Sequence, residues 1–268
     1  MSRDPQHKPR KRFGQNFLRD QHIIERIVSS INAQADDVLV EIGPGEGAIT
    51  DYLAPRCKQL QLIEIDRDLA ERLNTKYAHT DHVSLHTGDA LAFNFSTVAD
   101  TFRVVGNLPY NISTPLLINL IDHRTHVSDA HFMLQKEVVD RICAPPGNKT
   151  YGRLSILLQY YFQTEHLFDV PPESFFPPPK VDSAIIRLTS KPADLVAHNL
   201  PLFHSLCKIA FAQRRKTLRN NLKNAFSTEI VSQLEEHIDL TARPETLSVT
   251  EFVQLSDLIH DFQTAQHE

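Results

Sequence analysis

Apolar residues at Ile23, Ile24, Ile27, Val28 and Ile31 recur at helical spacing, so DQHIIERIVSSIN is predicted to form an amphipathic helix. The period then changes repeatedly. The apolar runs VLVEI (38–42), QLQLIEI (59–65), VSLHT (83–87), TFRVV (101–105) and AHFMLQ read as strands. A glycine turn with a helix that Pro55 stops, then RDLAERLNTKY, STPLLINLID and KEVVDRIC, supply helices between and after them. Thr114 as cap and Pro115 at the first helical position are expected to open STPLLINLID. Such alternation predicts an α/β fold with a doubly wound, mostly parallel, Rossmann-like sheet.

The pattern shifts after Pro145-Pro146-Gly147. A helix around LSILLQYYF precedes EHLFDV, the proline-rich PPESFFPPPK and the β-branched VDSAIIRL. Two strands joined by a short, stiff excursion imply a hairpin closing one side of the sheet, which makes seven strands in all. Beyond Lys191-Pro192 the pattern is helical to the end. The expected organisation is a sheet domain over 1–190, with a basic arm over 1–19, and a small all-α domain over 191–268.

Charge changes the picture more than composition does. The 268 residues carry a net charge of −5, which on average disfavours a polyanionic partner. Its distribution argues the other way. No acid occurs from Leu195 to Thr228, where Lys208, Arg214, Arg215, Lys216, Arg219 and Lys223 lie. Lys8, Arg10, Lys11 and Arg12 form a second cluster. A local basic face, not the mean, governs polyanion binding. CKIAFAQRRKTLRNNLKNAF reads as one helix, with Phe211, Leu218, Leu222 and Phe226 for packing and Arg215, Arg219 and Lys223 as a cationic stripe for phosphates. No apolar run approaches the roughly 18 residues of a membrane span, and the N-terminus lacks the apolar centre of a secretory signal. Three distant cysteines imply neither a disulfide framework nor a zinc site, so a reducing cytoplasm is the expected compartment. His79, His82 and His86 share no face, and no metal is expected.

Three of the eight glycines fall at Gly43, Gly45 and Gly47 in EIGPGEG, which implies a backbone closely approached by a ligand. Glu64 ends the next strand, where its carboxylate can accept ribose hydroxyls. The turn also fits a nicotinamide dinucleotide fingerprint, and that alternative stays open here. Asp89 after the third strand can accept from the amino group of an adenine, or simply cap a helix over ALAF. The segment GNLPYNIS (106–113) sits where a strand hands over to a helix, yet holds no acid, base, thiol or metal ligand.

Together these pieces resemble the ribosomal RNA adenine dimethyltransferases, S-adenosylmethionine-dependent enzymes, and most closely the bacterial small-subunit branch. The resemblance rests on GQNFL (14–18), VEIGPGEG, IEID (63–66), GDA (88–90), GNLPYNIST, FMLQKEV, YGRLS, PPPKVDSA and FAQRRKTLRN, in that order along almost the whole chain. It implies that Asn16 and Leu18 border the methionine part of the cofactor. It further implies that Gly43 and Gly45 line the glycine turn, that Glu64 takes the ribose, that Asp89 takes the adenine amine, and that Asn107 closes the site beside the methyl group.

The implied chemistry needs no titrating group. The exocyclic amine of adenine is a poor nucleophile, and orienting it can contribute roughly 7–11 kcal/mol. The Asn107 side-chain carbonyl and a backbone carbonyl at Leu108 or Pro109 can accept its two N–H groups. Tyr110 offers a face for the base, and Phe175 is implied to cover the other; its bland alternative is packing beneath the hairpin. The target base must be flipped out or unpaired to enter. Lys11, Arg12, Arg214, Arg215, Lys216, Arg219 and Lys223 are the expected RNA contacts. The implied reaction dimethylates N6 of two neighbouring adenosines near the 3′ end of 16S ribosomal RNA. The expected partner is the small ribosomal subunit, whose maturation the enzyme serves, and the expected state is a monomer. A large-subunit enzyme conferring antibiotic resistance and a ribosome-assembly factor acting mainly by binding are the rival readings.

Overall fold

The computed structural model describes Arg10 and residues 14–192, 195–213 and 215–266. Asp20 starts the first helix by accepting the His22 and Ile23 N–H groups, and Asn32 ends it in the left-handed region at φ 49°. This is α1 (Gln21–Ile31), which follows the short strand β1 (Phe17–Leu18) and buries Ile23, Ile24, Ile27 and Ile31. Next come β2 (Val38–Ile42), α2 (Thr50–Leu53), β3 (Gln59–Glu64), α3 (Arg67–Lys76) and β4 (Val83–Thr87). They are followed by β5 (Phe102–Asn107), α4 (Ser113–Asp122), β6 (Val127–Gln135) and α5 (Lys136–Cys143). Then α6 (Arg153–Tyr161) precedes β7 (Phe162–Val170), β8 (Phe175–Phe176) and β9 (Ser183–Ser190).

Seven strands form one sheet in the order β4-β3-β2-β5-β6-β9-β7. The pairs β2–β3, β3–β4, β2–β5 and β5–β6 are parallel, and β9 lies antiparallel to β6. The chain runs outward from β2 to β4, then returns to start β5 on the other side of β2. That reversal creates a crevice at the carboxyl ends of β2 and β5, the usual ligand position in a doubly wound sheet. Leu39, Val40, Glu41 and Ile42 of the central β2 are all buried, as befits a strand covered on both faces. β1 and β8 form a separate antiparallel ribbon, with Phe17 opposite Phe176 and Leu18 opposite Phe175.

The chain divides into two compact units, one of residues up to Val139 with Glu165–Ser190, the other of Asp140–Thr164 with Lys191 onward. Sequence patterning alone assigns 140–164 to the sheet domain; these residues group with the helices instead. The reason lies in α6, which buries Leu154, Ile156, Leu157, Leu158 and Tyr161 around its circumference and so needs helices on several sides. In that unit it packs with α7 (Leu200–Ala210) and α10 (Val249–Ala265). The Tyr160 and Phe203 rings meet at a tilt with centroids 4.6 Å apart, and the Tyr161 hydroxyl bonds His204 Nε2 at 2.7 Å.

The basic segment is not the single helix its pattern predicts. It breaks after α7 and resumes as the short α8 (Leu218–Leu222), with α9 (Thr228–Glu235) following. The break is held by outside partners. The Leu218 and Arg219 N–H groups donate to the Ala242 and Leu240 carbonyls, each at 2.9 Å. Buried Asn221 accepts the Gln213 N–H and donates to the Thr217 carbonyl, while Thr217 caps α8. Phe211 stacks on Phe252. A helical pattern cannot anticipate donors captured by a segment some twenty residues away.

Candidate active site

Register brings the site together. Pairing of Ile42 with both Ile63 and Gly106 sets the ends of β2, β3 and β5 side by side. Gly43, Glu64 and Asn107 therefore meet at one edge. Gly43 and Gly45 have φ of +67° and +60°, where side-chain-bearing residues are strained. A Cβ on Gly43 would lie 3.5 Å from the Asn107 carbonyl oxygen, and one on Gly45 3.3 Å from the Phe17 ring. Buried Glu64 accepts the Gly45 N–H at 3.1 Å on one oxygen and the Asp66 N–H at 2.9 Å on the other. Burial raises its pKa, and those two N–H groups offset part of the rise. Each carboxylate oxygen retains a lone pair for a sugar hydroxyl. Asp89 is exposed and accepts the Leu91 N–H at 2.9 Å, capping a turn and not a helix.

The next strand, β5, ends in the box singled out by its chemistry. Gly106 is required there by backbone: an added Cβ would stand 2.6 Å from the Ile42 carbonyl oxygen. Asn107 lines the cleft and donates its Nδ2 to the Asn16 carbonyl at 3.2 Å, while its Oδ1 has no hydrogen-bond partner among the described residues. The Pro109 carbonyl accepts the Ile112 N–H at 3.1 Å, while the Leu108 N–H donates to Met133. The half-buried Tyr110 ring is tethered by its hydroxyl to Ser183 of β9 at 2.9 Å, and burial raises its pKa against the effect of that bond. Thr114 and Pro115 do not open the following helix; α4 begins at Ser113, whose hydroxyl donates to the Tyr110 carbonyl. Pro115 remains within the first turn, where a missing N–H costs no helical bond.

The ribbon of β1 and β8 supplies the remaining wall. It places Asn16, Phe17 and Leu18 against the same cleft as Phe175, which is only 5% exposed, whereas Phe176 beside it is 56% exposed. Arg19 pairs with Glu46 of the glycine turn at 2.6 Å, and Arg10 with Asp66 at 2.8 Å. The cleft is thus lined by Asn16, Leu18, Gly43, Gly45, Glu64, Asp89, Asn107, Leu108, Pro109, Tyr110 and Phe175, all singled out from sequence. Glu41 lines it too, and sequence reasoning passed it over. Its signal was an acid inside the otherwise apolar VLVEI, a buried position that normally excludes charge.

A model of the family described as ribosomal RNA adenine dimethylase matches residues 6–261. The chain belongs to the ribosomal RNA adenine dimethylase family. Relatives of the dimethylase family include the ribosomal RNA small subunit methyltransferase A of Chromobacterium violaceum, 51% identical over 95% of this chain and 97% of that protein. The protein of the same name from Saccharophagus degradans is 53% identical, with 94% and 95% covered. Among solved structures, a dimethyladenosine transferase from Plasmodium falciparum gives a TM-score of 0.81 at 27% identity, covering 93% of this chain and 98% of that one. The 23S rRNA methyltransferase ErmE gives 0.71 at 26% identity, covering 91% and 100%. This dimethylase is a methyltransferase of ribosomal RNA, with the doubly wound sheet and C-terminal helices of its structural neighbours.

The basic residues expected to meet RNA divide differently from the cleft residues. Lys11, Arg12 and Arg214 lie outside the described residues. Arg215 and Lys216 are exposed in the turn between α7 and α8, off any helical stripe. Arg219 is on α8 and pairs with Glu235 at 2.7 Å, and Lys223 is exposed at the α8 C-cap. His82 bonds the Ala54 carbonyl and His86 packs against Phe93; among the described residues no group of His, Cys, Asp and Glu could hold a metal. No helix among them is long and apolar enough to cross a membrane.

Proposed function

We propose that this dimethylase uses S-adenosylmethionine to methylate N6 of two adjacent adenosines near the 3′ end of 16S ribosomal RNA, each twice. The observation that carries the reading is the pairing of a neutral acceptor box, Asn107 to Tyr110, with an acid-lined cleft at the switch point of the sheet. Glu41, Glu46, Glu64 and Asp89 line the cleft, and no lysine, arginine or histidine does so among the described residues. That set fits a ligand with a positive centre, sugar hydroxyls and an amine donor. Asn16 and Leu18 would border its methionine end, Gly43 and Gly45 its backbone approach, Glu64 its ribose and Asp89 its adenine.

When bound, the cofactor supplies a methyl group carried on a cationic sulfur. The chain's own residues prepare the acceptor. Asn107 Oδ1 is held in position by the Nδ2 bond to Asn16 and accepts one N6 proton. A backbone carbonyl at Leu108 or Pro109 accepts the other; the Pro109 oxygen already takes the Ile112 N–H on one of its two lone pairs. Two acceptors placed off the ring plane draw the nitrogen lone pair out of conjugation. Tyr110, fixed through Ser183, and Phe175 hold the base from its faces. The proton that must leave becomes acidic only after transfer and goes to water, so no general base is needed.

The small subunit is favoured over the large one by identity: relatives near 50% bear the small-subunit name, against 26% for the 23S enzyme. The exposed cations Arg215, Lys216 and Lys223 would track phosphates of the subunit. The test is incubation of purified protein, labelled cofactor and unmethylated small or large subunits, followed by nucleoside analysis. The expected product is N6,N6-dimethyladenosine in small-subunit RNA; label confined to large subunits would overturn the substrate, and no label in either would overturn the reaction.

A further inference from the structure

Among the described residues, Phe176 is the one phenylalanine left in the open. It is 56% exposed, whereas the others are buried or half-buried. A single exposed apolar side chain is ordinary. The place of this one is not. Its cross-strand partner Phe17 and its chain neighbour Phe175 both line the cleft, while Phe176 itself does not. An exposed ring between two wall residues stands on the rim. Successive side chains of a strand point to opposite faces, so β8 presents one ring to the cleft and the next away from it.

The loop that follows is stiff and pinned. Pro177, Pro178 and Pro179 fix φ at three successive positions. At its far end the Lys136 N–H donates to the Asp182 carbonyl at 2.9 Å, and Ser183 holds the Tyr110 hydroxyl at 2.9 Å. Residues 176–182 thus run from one proposed base-holding ring, Phe175, to the tether of the other, Tyr110. The Phe176 ring meets no other ring and no cation among the described residues, so both its position and its face are available at the mouth of the site.

We propose that Phe176 is the stacking platform for the base next to the one in the cleft, so that the two rings of β8 hold two neighbouring adenines, one inside and one waiting outside. The proposal rests on the substrate reading given above, in which adjacent adenosines react in turn. A base drawn into the cleft leaves its neighbour unstacked on that side, which opposes binding. An aromatic face on the rim replaces the lost stacking partner, and it needs no hydrogen-bond readout because every base has a π face. An aliphatic side chain of similar bulk offers no such face.

The chain has no tryptophan, so Phe176→Trp sets a single indole at the rim. Its emission is expected to be quenched when unmethylated small subunits bind, read against wild-type protein with the same subunits as the blank. In steady-state methylation of those subunits, Phe176→Ala and Phe176→Leu are each expected to raise KM about tenfold, the loss of one base stacked on a ring, and to lower kcat by much less. Phe176→Tyr keeps the face and should stay within about twofold of wild type. Unchanged S-adenosylmethionine affinity in all these variants would show the cleft wall intact. An indole that keeps its emission on the subunit, a leucine variant equal to wild type, or a tyrosine variant as impaired as alanine overturns the proposal. Emission that changes with protein concentration before any subunit is added overturns it in favour of pairing between two copies of the chain. Failure of wild-type protein to methylate small subunits would instead strike the proposed reaction, since indole quenching reads the platform on its own.

Discussion

Asp89 caps a turn where its position in the sequence allows a helix, and it stands on the cleft where the adenine amine is proposed to bind. One oxygen caps the turn through Leu91, and the carboxyl still lines the cleft. Replacing it with alanine is expected to weaken S-adenosylmethionine binding by about 1–3 kcal/mol, the value of a hydrogen bond to a charged acceptor. Calorimetry on a variant shown to be folded checks this, and unchanged affinity would remove Asp89 from the site. At this scale the sequence was legible in where residues would gather, as for Asn107, which lines the cleft as its box implies. It was opaque where the task comes from a partner. Nothing in GNLPYNIS says that Ser183 will hold the Tyr110 hydroxyl, because that bond is made across 73 positions of chain.

At the scale of elements, the approach of β5 to β2 leaves no room at Gly106. Gly106→Ala must push its Cβ against the Ile42 carbonyl oxygen, so the strand end carrying Asn107 has to shift. A stability loss of about 1–3 kcal/mol is expected, together with a fall in methyl transfer larger than that loss explains. Urea titration and single-turnover rates measured on the same preparation check the pair; a normal rate would show that Asn107 had not moved. The break between α7 and α8 changes which cations should matter for RNA. Neutralising Arg215, Lys216 and Lys223 should flatten the salt dependence of subunit binding by about 0.7–0.9 per lost contact. Arg219, already facing Glu235, should change the slope least. An Arg219 effect equal to that of Lys223 would restore the continuous stripe that periodicity predicts. The strand and helix order was legible because apolar period alone encodes it; the break was not, because carbonyls at Leu240 and Ala242 impose it.

Across the whole molecule, the sheet unit is also held by charge. Arg103 reaches Asp37 at 2.7 Å, Asp129 at 2.9 Å and the Ile31 carbonyl, tying β5 and β6 to the end of α1. Burial alone would raise the Asp129 pKa, but His131 and Arg103 beside it outweigh burial and hold it below the ordinary range. A depressed carboxylate stabilises the fold above its unfolded value, about 3.9, and that contribution disappears as pH falls through the folded value. Arg103→Met should therefore cost on the order of 3 kcal/mol at pH 7 by taking the shared guanidinium away from Asp37 and Asp129. The gap from wild type should narrow once the pH drops below about 4, which urea titrations at the two pH values would reveal. A constant gap would assign the loss to packing.

The grouping of 140–164 with the helical unit belongs to this scale too, since a helix with apolar residues around most of its circumference does not declare which neighbours will cover it. The two-residue ribbon of β1 and β8 carries a last consequence. It roofs the cleft with only a pair of matched positions, Phe17 with Phe176 and Leu18 with Phe175. The ribbon shares no ladder with the seven strands, and side chains fasten it to the cleft: buried Leu18 and Phe175, Arg19 on Glu46, and Asn107 on the Asn16 carbonyl. Substitutions that weaken those side-chain ties should therefore register at the cleft wall before they register in the sheet ladder.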